Sequence, residues 1–167
     1  MSVERLSADQ VRAAADFVRE VMFKPWQRGA CGPDAYDCWG LARAAQARLA
    51  GRDLPILNID PNDLRAVIRL VQNHPLRDEW RQVDMPRHLD LVMMAHRQHP
   101  HHAGTWLAVD GGMVLHAAEQ FRRAKGADGK PTSLPDARKP GVSADSLLSL
   151  KQHGWACIQF WRYPGAM

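Results

Sequence analysis

The chain has 167 residues, of which 46% are hydrophobic and 24% are charged, a mixture typical of one soluble globular domain with a single core. We therefore expect one domain over residues 1–167. The net charge is only +4, no apolar run approaches membrane-spanning length, and Met1–Arg5 lacks the basic start and apolar core of a secretory signal. Nucleic-acid binding and membrane insertion are therefore not expected, and neither is a cleaved leader.

The chain is predicted to open with a helix. Ser7 and Gln10 have the spacing of a capping box, and apolar residues recur at helical intervals from Val11 to Met22. Pro25 ends the pattern. The following stretch, 25–37, contains too many breaking residues to be helical and leads to the second helix.

Cys38–Ala50 is predicted to form that second helix, because it is rich in Ala, Leu and Arg and is followed by Gly51. Asp37 is the expected N-cap. A thiol in the first turn lies near unpaired N–H groups and the positive end of the helix dipole, so we expect the pKa of Cys38 to fall below its free value of about 8.5. A nucleophilic thiolate would follow. The alternative is that Cys38 is a small buried apolar residue.

The other two cysteines give no paired pattern. With Cys38, Cys31 and Cys157 make an odd number, which suits a reducing compartment and not a disulfide framework.

A third helix is predicted to begin at Asp60–Asp63, with a capping residue and Pro at its first position. Its apolar stripe consists of Leu64, Val67, Ile68 and Val71. Trp80–Val83 is then read as a short strand. Leu89–Ala95 is a stronger strand, whose continuous apolar run indicates burial on both faces.

A hairpin carrying two histidines follows. One strand runs over His101–Val109, Asp110-Gly111-Gly112 is a turn signal, and Met113–Ala117 is the second strand. His102 and His116 are unequally far from the turn, so direct opposition needs a bulge or a longer turn, but they can still be near neighbours. His101 competes with His102, because adjacent residues on a strand point to opposite faces. A cysteine hydrolase needs a thiol, one imidazole to carry the thiol proton and a second group to orient that imidazole. Cys38 and the two histidines could supply these groups.

The basic excess lies in one segment, 121–142, which contains six basic and two acidic residues. It has neither a helical period nor interleaved aromatic residues, so we predict a solvated loop insertion. A lid, or a docking loop for an anionic polymer or a neighbouring protein, is the alternative. Ser143 is predicted to cap a short helix that carries Leu147, Leu148 and Leu150, and Trp155–Trp161 to form the last strand.

Four closely spaced histidines could in principle bind a metal ion: His96, His99, His101 and His102. No Cys-x-x-Cys pair or His-Glu-x-x-His helix accompanies them. We therefore predict neither a metal nor a cofactor.

Three motifs together point to a family: Asp37-Cys38-Trp39-Gly40-Leu41, His102-Ala103-Gly104-Thr105-Trp106 and Leu115-His116-Ala117. They resemble the NlpC-type papain-like cysteine peptidases of bacterial cell walls, most closely the phage tail-tip branch, over about residues 25–117. The resemblance implies an α+β papain-like fold with the nucleophile helix packed on a small antiparallel sheet. It also implies Cys38 as nucleophile, His102 as general base and His116 as the orienting residue.

The resemblance further implies a substrate or oxyanion pocket formed by Trp26, Tyr36, Asp37 and Trp39. Trp26 stands where the family usually has Tyr, and offers an indole N–H in place of a hydroxyl. Leu89 replaces the usual Gly before Asp90, a change expected to affect only the local turn.

The implied substrate is the stem peptide of peptidoglycan, and the implied partners are other phage tail proteins. The protein would be made in the host cytoplasm and then carried in the virion tail, acting in cell-wall penetration or tail assembly. Two alternatives stay open: a non-catalytic structural or assembly protein of a tail tip, and a papain-like thiol amidase or acyltransferase acting on another substrate.

Overall fold

The computed structural model of the protein describes residues 4–57, 63–119, 127–130 and 140–165. Within them, five helices accompany one antiparallel sheet of six strands, so the predicted α+β class is confirmed. The helices are α1 (Ala8–Val21), α2 (Cys38–Ala50), α3 (Leu64–Asn73), α4 (Leu76–Glu79) and α5 (Leu147–Gln152). The strands are β1 (Arg81–Val83), β2 (Leu91–Ala95), β3 (His102–Leu107), β4 (Met113–Ala118), β5 (Gly141–Asp145) and β6 (Cys157–Arg162). None of the helices in these ranges is long and apolar enough to cross a membrane.

The first two helices begin where their capping residues predict. Ser7 and Gln10 exchange both hydrogen bonds of a capping box at the start of α1. Asp37 caps α2, and Gly51 ends it in the left-handed conformation that glycine adopts at low cost. Both predictions are confirmed.

Later boundaries differ from the predicted ones. Helix α3 begins at Leu64 with Asp63 as its cap, whereas the predicted roles of Asp60, Pro61 and Asn62 fall outside the described residues. The prediction that Ser143 caps a helix is wrong: Ser143 lies in β5, paired with His116, and Ser146 caps α5. Both serines precede the leucine run, and pairing of β5 with β4 decides between them.

The predicted basic loop is shorter than residues 121–142. Gly141 and Val142 are the first residues of β5, so the insertion ends before them. Residues 121–126 and 131–139 lie outside the described ranges.

The hairpin strands β3 and β4 are both interior strands of the sheet, whose order is β1-β6-β2-β3-β4-β5. Gly104 pairs with His116 and Leu107 with Met113. The connection is therefore longer than a two-residue turn, and Asp110, Gly111 and Gly112 within it all have positive φ. His102 and His116 lie diagonally on the same face, because side chains two residues apart on a strand share a face.

Both faces of the sheet are covered. Helices α1 and α2 contribute Phe17 and Leu41 to a core shared with Leu107 and Leu115. The opposite side holds a second cluster, made of Val92, Met94, Trp106, Val114, Leu150, Trp155 and Phe160. Strand β2 is buried on both sides, as its apolar run predicted. The first residue of α2 is thereby held against the middle of the sheet.

Leu89 affects more than the local turn, contrary to the expectation. Its φ is 67°, which explains why glycine suits this position, yet its side chain is buried in the main core. Its carbonyl accepts a hydrogen bond of 2.8 Å from the fully buried Gln46 of α2. The residue therefore connects α2 to the beginning of β2.

A buried ion pair joins Asp90, the residue that precedes β2, to Arg162 at the end of the neighbouring strand β6. Arg162 donates to both carboxylate oxygens of Asp90, at 3.1 and 2.8 Å, and the Asp90 side chain is only 3% exposed. The backbone N–H of Arg87 adds a third hydrogen bond to this carboxylate.

We expect Asp90→Ala to lower the free energy of unfolding by about 3 kcal/mol or more, because it leaves a half-buried guanidinium without its partner. Urea denaturation measures this. The matched control is Glu20→Ala, which removes the exposed pair with Arg48 and should cost less than about 1 kcal/mol. Equal effects of the two substitutions would contradict the role given to Asp90.

Candidate active site

Cys38 is held at the start of α2 by the side chain of Asp37. One carboxylate oxygen of Asp37 accepts from Gly40 N at 2.6 Å and the other from Gly29 N at 2.7 Å. Gly40 is required here because a Cβ at this position would run into the carbonyl oxygen of Ala30. Asp37 therefore joins the preceding loop to the helix and sets the position of the thiol.

The thiol of Cys38 is protonated at neutral pH. Burial raises its pKa to about 11, and Asp37 acts in the same direction. Hydrogen bonds with backbone groups of Ala103, Trp39 and Cys38 itself lower the pKa, but by less than burial raises it. The expectation of a lowered pKa is therefore wrong: desolvation of the charged form outweighs the favourable helix end.

A buried chain of hydrogen bonds leads away from His102. His102 Nε2 lies 2.9 Å from His116 Nδ1, and His116 Nε2 lies 2.9 Å from Asp145 Oδ2. His116 is fully buried, and the Asp145 side chain is 3% exposed. Ser143 and Ser149 donate their hydroxyls to the same carboxylate, each at 2.8 Å.

Asp145 sets the direction of this chain. Burial alone would raise the pKa of Asp145, but the hydrogen bond and charge interaction with His116, together with the two serines, hold it well below its usual range. An ionised carboxylate only accepts, so His116 donates through Nε2. When His116 is neutral its Nδ1 then accepts from His102 Nε2, which leaves Nδ1 of a neutral His102 as the acceptor for a further proton.

His102 itself is neutral at neutral pH. Burial lowers the pKa of its imidazole well below the usual value, and the neighbouring His116, His101 and His96 lower it further. The resting pair is consequently a thiol and a neutral imidazole, not a thiolate and an imidazolium.

Trp155 fixes the plane of His102, a contact that sequence reasoning missed. Its ring is stacked on His102, with centroids 4.7 Å apart and an interplanar angle of 16°, and on His96 at 3.9 Å and 18°. His101 lies at a tilt to the same indole, 5.7 Å away. The hydrogen bond to His116 distinguishes His102 from its competitor His101.

Gly104 makes the diagonal contact between the histidines possible. A Cβ there would come within 2.7 Å of a Val114 methyl and 3.3 Å of His116 Cβ. With no side chain between them, the imidazoles of β3 and β4 approach directly.

One cavity is shared by Cys38 and His102, and Asp37 and Trp39 of the predicted pocket also line it. Trp26 and Tyr36 are not among its lining residues. They form a bridge with each other and pack against the core of α1 and α2 instead. Two residues of the predicted pocket, Asp37 and Trp39, therefore line the cavity, and the other two, Trp26 and Tyr36, pack against the core.

Sequence reasoning also missed Asp145, although this residue completes the buried chain. An acidic residue within the polar stretch Ser143–Ser146 was the only signal, and it lies 29 positions from His116. In the described part of the chain, no three or more His, Cys, Asp or Glu side chains are arranged to hold a metal ion.

Comparison with protein-family models and with curated protein sequences finds no match to this chain.

The raised thiol pKa predicts the pH dependence of alkylation. Below about pH 9 we expect iodoacetamide to label the exposed Cys31 before Cys38. The Cys38 rate should rise steeply as the pH approaches 11, because only the thiolate reacts. Peptide mass spectrometry separates the sites, with Cys38→Ser to assign the signal. Faster labelling of Cys38 than of Cys31 at pH 6 would contradict a protonated resting thiol.

Proposed function

We propose that this protein is a papain-like cysteine peptidase that hydrolyses amide bonds in peptidoglycan stem peptides. We further propose that it acts as a phage or prophage tail component, in cell-wall penetration or tail assembly. The amide-hydrolase part is supported by one observation above all. Cys38 shares a cavity with His102, and the imidazole of His102 continues through His116 to the ionised Asp145. The substrate and the setting are supported by the sequence resemblance alone.

The first half of the reaction forms a thioester. Sγ of Cys38 attacks the carbonyl carbon as His102 Nδ1 takes the thiol proton, so the nucleophile is activated during attack and not beforehand. The backbone N–H of Cys38 is the proposed donor to the developing oxyanion. His102 then returns the proton to the leaving nitrogen, the C–N bond breaks, and the amine departs.

The second half repeats these steps with water. His102 Nδ1 removes a proton from water as its oxygen attacks the thioester carbon. The C–S bond breaks, the acid leaves, and the proton returns to sulfur. Atoms and charge balance over the cycle.

The second histidine allows the positive charge of the protonated pair to lie next to a carboxylate. When His102 receives a proton at Nδ1, its Nε2 proton can move to His116 Nδ1 along the 2.9 Å hydrogen bond. The charge then rests on His116, which faces the Asp145 carboxylate. His102, which burial disfavours as a cation, stays neutral.

We expect Cys38→Ser and His102→Ala each to reduce the release of stem peptides from purified peptidoglycan by a factor on the order of 10³ or more. Mass spectrometry of the soluble products measures it. Cys157→Ser is the matched control and should leave the rate unchanged. If wild-type protein releases nothing and the Cys38→Ala form still supports tail assembly, a structural role replaces the enzymatic one.

Asp145→Asn tests whether the carboxylate supports the proposed proton transfer from His102 to His116. We expect it to reduce kcat by about 10- to 100-fold and to leave KM within about twofold, because a neutral amide no longer stabilises the positive charge that the proposed step places on His116.

Ser149→Ala is the control for Asp145→Asn, because it removes one hydrogen bond to Asp145 and retains the charge. It should lower kcat less than Asp145→Asn does. An equal loss of kcat in the two variants, or a change in KM alone, would mean that Asp145 is only structural.

A further inference from the structure

The cavity at Cys38 is mainly apolar. It has a volume of about 150 Å³, is open to solvent on one side, and lies between the sheet and the segment that contains α3 and α4. Beyond the thiol and the imidazole, its walls are formed largely by Leu57, Leu70, Val71, Trp80, Met93 and Trp161. An occupant reaching past the thiol meets hydrocarbon and aromatic surface.

The polar residues of the lining already hold other groups. Both oxygens of Asp37 accept backbone N–H groups, and Nδ1 of His74 accepts from Leu76 N at 3.1 Å. Arg77 donates to the carbonyl of Gln72 at 2.7 Å, with its guanidinium 5.6 Å from the Trp161 ring centre. Arg77, which is exposed, is the only Lys or Arg among the described lining residues, and His101 also lines the cavity. A charged occupant therefore meets one hydrated guanidinium in otherwise largely apolar walls.

Trp80 adds a second, independent indication of a ligand. It lines the cavity and is 4% exposed, and its indole N–H has no hydrogen-bond partner among the described residues. A buried donor without a partner carries a desolvation cost. An occupant with a neutral acceptor oxygen would remove that cost, and the rest of the wall favours hydrocarbon.

We infer that this cavity binds the acyl part of the substrate and selects an acyl part that carries an uncharged hydrocarbon group. The inference rests on the proposed function, because an acyl group bound to Cys38 Sγ stays beside this wall after the leaving group departs. Within a stem peptide, which carries free carboxylates, it selects an alanyl carbonyl over a glutamyl carbonyl. Outside peptidoglycan, it selects aliphatic acyl donors.

The selectivity should grow with chain length until the cavity is filled. Each methylene removed from water is worth about 0.8 kcal/mol, or roughly fourfold in kcat/KM. A terminal carboxylate reverses the gain, because a charge leaves water for a mainly apolar site whose one guanidinium, that of Arg77, is exposed and already donates to the Gln72 carbonyl.

The test uses p-nitrophenyl esters of acetate, pentanoate and glutarate with the full-length protein, and follows nitrophenol release and the mass of the acyl-enzyme. From acetyl to pentanoyl, three added methylenes predict a rise in kcat/KM of about 60-fold. The glutaryl ester has the same number of carbons and should react at least about 10-fold more slowly than the pentanoyl ester. Comparing the pentanoyl ester with the N-acetyl-leucyl and N-acetyl-alanyl esters shows whether the cavity prefers a fatty acyl group or an aminoacyl group.

The two possible failures are distinguishable. Hydrolysis that needs Cys38 but is equal for pentanoyl and glutaryl esters would overturn the inference and leave the proposed function standing. Hydrolysis unchanged in Cys38→Ala, with no acyl adduct on this residue, would overturn the proposed function and the inference with it.

A substitution in the wall completes the test. Val71→Glu should lower the pentanoyl rate at least about 10-fold and leave the acetyl rate within about twofold. Gln72→Glu, which adds the same charge at the neighbouring exposed position, should change neither. If Val71→Glu lowers the acetyl rate as well, Leu70→Gln replaces it as the milder change. Unaltered pentanoyl rates in both wall variants would contradict the inference.

Discussion

The hydrogen bond between His116 and Asp145 sets the proton arrangement of the whole site. Because the carboxylate only accepts, His116 has to donate through Nε2, and each following ring nitrogen then has a defined role in the neutral state. The chain ends at His102 Nδ1. Two serines hold the carboxylate in place, so the protein orients its base through His116, Asp145 and these two serines.

Burial has two consequences at Cys38 that belong together. The surroundings that make the cavity suitable for hydrocarbon also disfavour a thiolate, and they raise the thiol pKa to about 11. A helix start cannot reverse this, since its effect is worth at most about 2 kcal/mol in favourable cases. The proposed mechanism therefore relies on proton transfer during attack, where the tandem histidines supply an acceptor whose charge ends beside Asp145.

How much of the site could be predicted depended on whether the contacts were local. The capping of α2 by Asp37 and the hairpin with His102 and His116 rest on neighbouring residues, and local rules identified both. Ser143 shows where these local rules fail. Its capping pattern was as good as that of Ser146, and only pairing with β4 assigned it to a strand. Asp145 and Trp155 reach the histidines from elements far along the chain, which no local pattern encodes.

Three features could be predicted from the sequence alone: the α+β class, the start of α2 with its cysteine, and the two histidines on paired strands. These follow from capping, turn chemistry and apolar periodicity, which act over a few residues. The folded structure was needed to show that Trp26 and Tyr36 do not line the cavity and that its walls are mainly apolar. It also decided that the thiol is protonated at rest. Desolvation and long-range packing depend on which elements surround a group, and that is known only once the chain has folded.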